Sequence, residues 1–111
     1  MDRRYRGTTI MKMKEVTIVR IYLTEGEKQL KNFMRQLRDW EKLRGLTVFR
    51  GISGYGESGV IHGSNIVDLS LNMPIVIEFF DDAEKINHIL DHLADQIKVG
   101  HMLKWSAEIN E

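Results

Sequence analysis

The chain has 111 residues, 42% of them hydrophobic and 29% charged, the size and composition of one soluble globular domain rather than two. Lys plus Arg number 16 and Asp plus Glu 16, a balance that argues against broad nucleic-acid binding and makes any anion site a local one. With no cysteine there is no disulfide framework, thiolate metal centre or thiol nucleophile, and no apolar run reaches membrane-spanning length; both features fit a cytoplasmic protein with no membrane insertion.

Residues 1–14 read as an N-terminal arm preceding a domain at 15–111. The arm carries Arg3, Arg4 and Arg6 but has no apolar segment before Met11 to serve as a signal peptide, so a solvated tail is expected. "EVTIVRIYL", Glu15 to Leu23, is dense in β-branched and aromatic residues and predicts the first strand, with "TEGEK" supplying turn and helix-start chemistry after it. From Lys28 to Arg44, Leu30, Phe33, Met34, Leu37, Trp40 and Leu43 recur at spacings of three and four, which puts them on one face of a helix that Gly45 is expected to stop.

"LTVFRGI" predicts the second strand. Gly51, Gly54, Gly56, Gly59 and Gly63 then crowd one segment, more than a hairpin needs; such glycines either shape a turn or let the backbone approach a ligand. Asn65 to Phe80 predicts a long third strand, interrupted near Asn72 to Pro74 because proline cannot donate to a ladder. Asp81 with Glu84 resembles a capping box, opening a second helix whose buried stripe is Ile86, Ile89, Leu90, Leu93, Ala94 and Ile97 and whose end is Gly100. "HMLKWSAEI" alternates as a last strand should.

Strand, helix, strand, strand, helix, strand is the α+β order of a ferredoxin-like βαββαβ sandwich: an antiparallel four-stranded sheet with two helices on one face. Val16, Ile18, Val19, Ile21, Ile75, Val76, Ile77, Phe79 and Phe80 supply apolar residues to both faces of that sheet, whereas the helices cover one. Self-association through the sheets is the simple remedy, with a closed trimer favoured over a dimer.

"TVFRGISGYG", a loop, and then "PIVIEFFDDAEKINHILDHL" resemble the PII-like signalling family, and more closely a prokaryotic branch with an RGxxGYG motif followed by an Ile-His pair. Here the motif is Arg50, Gly51, Gly54, Tyr55 and Gly56, with Ile61 and His62 after it, and the likeness runs from about Glu15 to the C-terminus. The resemblance implies a PII-like trimer, a loop between strands two and three that acts as effector, and adenine nucleotide bound in the clefts between subunits. It departs from the better-studied PII proteins after the second helix: "QIKVGHM", with Lys98 and Gly100, is a much reduced version of their phosphate-cradling loop, which makes AMP or another adenosine-bearing effector as fair an expectation as ADP or ATP.

Amides at Gly51, Gly54 and Gly56 can form a concave anion site, and Arg50 can add a forked bond to phosphate. Tyr55 offers a ring or a hydroxyl, His62 a donor when protonated, and Lys98 a further positive charge. The plainer alternative is that the glycines permit a bend, Arg50 pairs with a surface carboxylate and Tyr55 packs on a neighbouring subunit. His88 and His92 are spaced like a metal pair but fall on the solvent face of the second helix, where neither Asp91 nor Asp95 converges with both. Glu25, Glu27, Glu78, Asp81 and Asp82 form no visible acid-base pair, and Ser53, Ser58 and Ser64 sit in no nucleophile motif. The expectation is therefore a non-enzymatic, PII-like homotrimeric regulator that requires no cofactor, takes AMP, ADP or ATP as ligand, and signals to a target protein by changing the order of loop 55–65. The alternatives are a trimeric metal-associated or purely structural module without a nucleotide site, and a weak nucleotide hydrolase.

Overall fold

The computed structural model describes residues 5–6, 9–23, 26–55 and 74–111, with the side chains of 5, 6, 9, 27, 40 and 41 outside that description. Tyr5–Arg6 (β1) pairs antiparallel with Thr9–Ile10 (β2), so part of the expected arm forms a short ribbon. Met13–Leu23 (β3) begins two residues before the expected Glu15. It is followed by Glu27–Gln36 (α1), Gly45–Arg50 (β4), Ile75–Asp81 (β5), Ala83–Leu93 (α2) and Met102–Asn110 (β6). The strand order is β4-β5-β3-β6 with every neighbouring pair antiparallel, the ferredoxin-like arrangement that the element order predicts. The expected third strand is observed from Ile75 onward; residues 65–73 lie outside the described residues.

Strict alternation positions the core. Val19, Ile21 and Leu23 of β3 face Phe79, Ile77 and Ile75 of β5 across the ladder, and all six are buried. Leu30, Phe33 and Leu37 from the α1 segment, with Ile86, Ile89 and Leu93 from α2, close over them. Leu90 and Ile97 pack at the margin, while Ala94 is exposed in a short 3-10 turn, Ala94–Gln96, and drops out of the expected stripe.

Three local expectations give way to tertiary contacts. The first helix does not run to Arg44: it widens into a π-helical turn, Leu37–Glu41, and ends at Lys42, whose φ of 48° is left-handed. Left-handed geometry costs a non-glycine residue about 1–2 kcal/mol, and here the Lys42 carbonyl is held by the Lys85 ammonium at 2.7 Å. Gly45 is instead the first residue of β4, directly opposite Phe80; a Cβ there would lie 2.3 Å from Phe80 Cε1, so the ring excludes a side chain. The side chain of Trp40 lies outside the described residues.

Asp81, expected as a helix cap, is the buried last residue of β5. The position before α2 is occupied by Asp82, which makes no side-chain cap bond and lies 3.0 Å from Lys14 Nζ instead. The Asp81 carboxylate accepts the backbone N–H of Asp82 at 2.7 Å and of Arg44 at 2.9 Å, with Lys85 Nζ at 3.2 Å. It thereby joins the start of β4, the end of β5 and the first turn of α2. Burial alone would raise its pKa, but the two N–H bonds and the Lys85 ammonium more than offset this and hold the carboxyl below its ordinary value.

Because this carboxyl is depressed in the folded state, its stabilisation is present above the unfolded value of about 3.9 and is lost as pH falls through the lower folded value. Asp81→Asn is expected to cost about 1.5–3 kcal/mol at neutral pH, the range for hydrogen bonds to a charged group. Denaturant titrations of both proteins from pH 7 to pH 2 should show the gap narrowing in acid; an undiminished gap would contradict this role.

Candidate functional site

The expected site residues near the glycines lie at one end of the sheet, where β4 stops and β5 begins. Arg50 is exposed and pairs with Ile75 in the last rung. Beyond it the Gly51 N–H donates to the Pro74 carbonyl at 2.7 Å, extending the ladder by one bond. The Gly51 amide is therefore committed to the fold and is not free to cradle an anion. The Pro74 ring packs against both glycines: a Cβ at Gly51 would lie 3.2 Å from Pro74 Cβ, and one at Gly54 3.1 Å from Pro74 Cγ. Tyr55 and Ile52 are 76% and 83% exposed, unusual for such side chains. Gly56 and His62 lie outside the described residues.

Lys98 reaches the same end of the sheet by another route. After the 3-10 turn, the His101 N–H donates to the Lys98 carbonyl at 3.0 Å and Gly100 has a φ of 84°, the geometry of a type II turn with glycine at its third position. Gly100 thus turns the chain into β6 rather than ending α2, which stops at Leu93. Lys98 and Val99 are exposed on this turn. His101, which the sequence reading did not single out, anchors the turn: Tyr22 N–H donates to its carbonyl at 2.9 Å, and its Nδ1 lies 3.3 Å from the Tyr22 carbonyl.

The two groups share an end but not an edge. Arg50 leaves β4 and the Lys98 turn precedes β6, the outer strands on opposite sides of the sheet. Three strand spacings separate them, about 14 Å at 4.7–4.9 Å each. The two groups of expected site residues therefore do not meet within one chain.

The face away from the helices is apolar and, among the described residues, uncovered. Tyr22, Phe49, Leu103 and Trp105 are each between 39% and 52% exposed there, beside the half-buried Ile18, Val76 and Phe80. At its centre Arg20 donates to Glu78 through Nη2 at 2.6 Å and Nε at 3.0 Å, and its guanidinium stands 5.5 Å from the Trp105 ring centroid. A shallow basin of about 200 Å³ is lined by Arg20, Tyr22, Phe49 and Val76.

His88 and His92 are exposed, with ring centroids 4.4 Å apart. Among the described residues no group of three or more His, Asp or Glu is placed to hold a metal ion, and no helix is long and apolar enough to cross a membrane. Glu78 and Asp81 are engaged by Arg20 and by the β5–α2 junction.

Residues 16–109 match the DUF190 family, described as uncharacterized ACR. The chain belongs to the DUF190 family. A UPF0166 protein of Methanocaldococcus jannaschii is 41% identical over 91 residues, covering 78% of this chain and 82% of the relative. A UPF0166 protein of Aquifex aeolicus is 34% identical over 87 residues, 75% and 83% of the two chains. Among solved structures, CPII, a nitrogen regulatory PII-like protein from Thiomonas intermedia K12 bound to ADP, AMP and bicarbonate, superimposes with a TM-score of 0.63 at 20% identity, covering 90% of this chain and 91% of that one. This DUF190 chain has the fold of PII-like proteins.

The Pro74 contacts make the purpose of the glycines in the DUF190 chain measurable. Gly54→Val is expected to cost about 1–3 kcal/mol by overpacking, and most of that cost should disappear in a Pro74→Ala background. A double-mutant cycle by chemical denaturation reads the coupling; an equal cost in both backgrounds would show that Pro74 is not what keeps this position small.

Proposed function

We propose that this protein is a PII-like regulator, not an enzyme, which assembles as a homotrimer and binds an adenine nucleotide where the β4 edge of one subunit meets the β6 edge of the next. The observation that carries this proposal is the division of the site residues: Arg50, Gly54 and Tyr55 on one edge and Lys98 on the other, at the same end of the sheet. Packing the uncovered faces together removes the exposed aromatic surface from water and brings unlike edges of neighbouring subunits side by side.

In such a cleft Arg50 provides a forked, charge-assisted contact to phosphate and the Lys98 turn of the neighbouring subunit supplies the second cation. Tyr55 offers its ring to the base. Gly51 contributes by fixing the loop base, while Gly54 and Gly56 offer amides and His62 a donor. The Lys98 turn is a single four-residue turn, which favours a ligand with few phosphates, AMP or ADP ahead of ATP. The structure of CPII with ADP and AMP supports a nucleotide as the ligand class for this fold. Signalling then requires that the nucleotide favour one arrangement of the segment joining β4 to β5, which a target protein in the cytoplasm reads.

Thermal shift and calorimetric titration with AMP, ADP and ATP test the proposal. At least one should stabilise the protein, and Arg50→Ala should weaken binding by about 10- to 150-fold, equivalent to about 1.5–3 kcal/mol, without changing the assembly mass. Absence of stabilisation by all three, or wild-type affinity in Arg50→Ala, would remove this function.

A further inference from the structure

The outer surface of the helix layer sorts its charge in a way that net neutrality conceals. Lys28, Lys31, Arg35, Arg38 and Lys42 follow one another at alternating steps of three and four, and all five are exposed along one side of α1 and the π-helical turn after it. Lys31, Arg35 and Arg38 flank an open groove of about 510 Å³ floored by Leu30 and Met34. Asp39, exposed and 2.9 Å from Arg38 Nε, is the acidic side chain described beside this row. On α2 and the turn after it, Glu84, Asp91 and Asp95 form an exposed acidic row with His88 between the first two. Lys85, the one cation of α2, reaches back to Asp81 and the Lys42 carbonyl.

A neutral amide seam separates the two rows. Gln36 Nε2 donates to Gln96 Oε1 at 2.7 Å, Gln96 Nε2 returns a bond to Gln36 Oε1 at 3.0 Å, and Asn32 Nδ2 adds one to Gln96 Oε1 at 3.2 Å. These bonds tie α1 to the end of α2 and hold the cationic and acidic rows in a fixed relation.

We propose that the helix layer is a self-association surface, on which two copies of this chain pair about a two-fold axis running along the helices over the amide seam. Such an axis lays the cationic row of each copy over the acidic row of the other, so one contact is made twice. It also preserves height along the helices. Because Gln36 meets Gln96, Arg35 and Arg38 stand level with Asp95, and they approach Asp95 and Asp91 of the second copy. A second copy is the occupant that satisfies both rows at once; an acidic protein or surface would match the α1 row and be repelled by α2. The surface is separate from the uncovered sheet face and from the proposed nucleotide cleft, so it does not depend on either.

Exposed ion pairs contribute only about 0–1 kcal/mol each, so the pairing is weak, concentration-dependent and screened by salt. Sedimentation velocity of the full chain at low salt should show species of at least twice the mass seen at high salt, because every subunit of an assembly carries its own helix layer. Arg35→Glu/Arg38→Glu and Asp91→Lys/Asp95→Lys should each hold the high-salt mass at all salt concentrations, with unchanged circular dichroism. An equimolar mixture of the two reversed proteins should associate again at low salt, because their rows are complementary in both contacts. A wild-type mass independent of salt and concentration, association that survives the reversals, or a mixture that fails to associate would each overturn the proposal.

Discussion

A four-stranded sheet with apolar residues on both sides and two helices on one of them is left with one apolar face open to water. On the helix side the constraint is met: Val19, Ile21, Ile77 and Phe79 are sealed beneath α1 and α2. On the other side Tyr22, Phe49, Leu103 and Trp105 stay partly exposed around the Arg20–Glu78 pair. Covering that face removes apolar area from water at roughly 25 cal/mol per Å², and it also desolvates an ion pair, which stabilises the assembly only if the bonding already present is kept. Arg20 is held by two bonds to Glu78 and stands close to Trp105, so its partners are in place before any second chain arrives. In the proposed assembly the pair would favour a particular packing of the face over unspecific collapse.

The same topology divides the proposed ligand site. β3 and β5 occupy the centre of the sheet, so the end of β4 that carries Arg50 and the turn before β6 that carries Lys98 fall at opposite edges, although both lie at the same end. In the proposed trimer a ligand touches both by lying between chains, which links assembly to binding: a nucleotide that bridges an edge of one subunit and the opposite edge of another would stabilise the oligomer, and the oligomer would complete the site. The helix layer stays outside this arrangement, with its charge rows directed to solvent.

Much of this was legible from pattern. The run Asn65 to Phe80 predicts the strand observed as β5 and supplies apolar residues for both faces of the sheet, and the three-four spacing of Leu30, Phe33 and Leu37 finds the buried side of α1. What escaped was decided at long range. Gly45 reads as a helix stop because glycine tolerates left-handed geometry, whereas its real constraint is the ring of Phe80, thirty-five residues away. Lys42 takes the left-handed position and offers its carbonyl to Lys85, and Asp81 reads as a cap because its partner Arg44 is invisible to local pattern. In the glycine-rich segment, density pointed to backbone freedom while hiding one cause of it: Pro74 packs on Gly51 and Gly54 and takes the Gly51 amide. The separation of Arg50 from Lys98 follows from strand order and from nothing in their own neighbourhoods. The cationic row of α1 was present as spacing, but its meaning depends on the acidic row that folding sets beside it.

The meeting of unlike edges across a subunit boundary is tested most directly by cross-linking, for which the absence of native cysteine leaves a clean background. Ser53→Cys and Lys98→Cys, made in separate chains and mixed under oxidising conditions, should yield a disulfide-linked heterodimer on a denaturing gel, and a chain carrying both substitutions should link to its neighbours and not to itself. The Cα separation that a disulfide permits, about 4.4–6.8 Å, is far shorter than the width of the sheet. Formation of the bond within a single chain, or no bond between mixed chains that remain assembled, would contradict an intersubunit site.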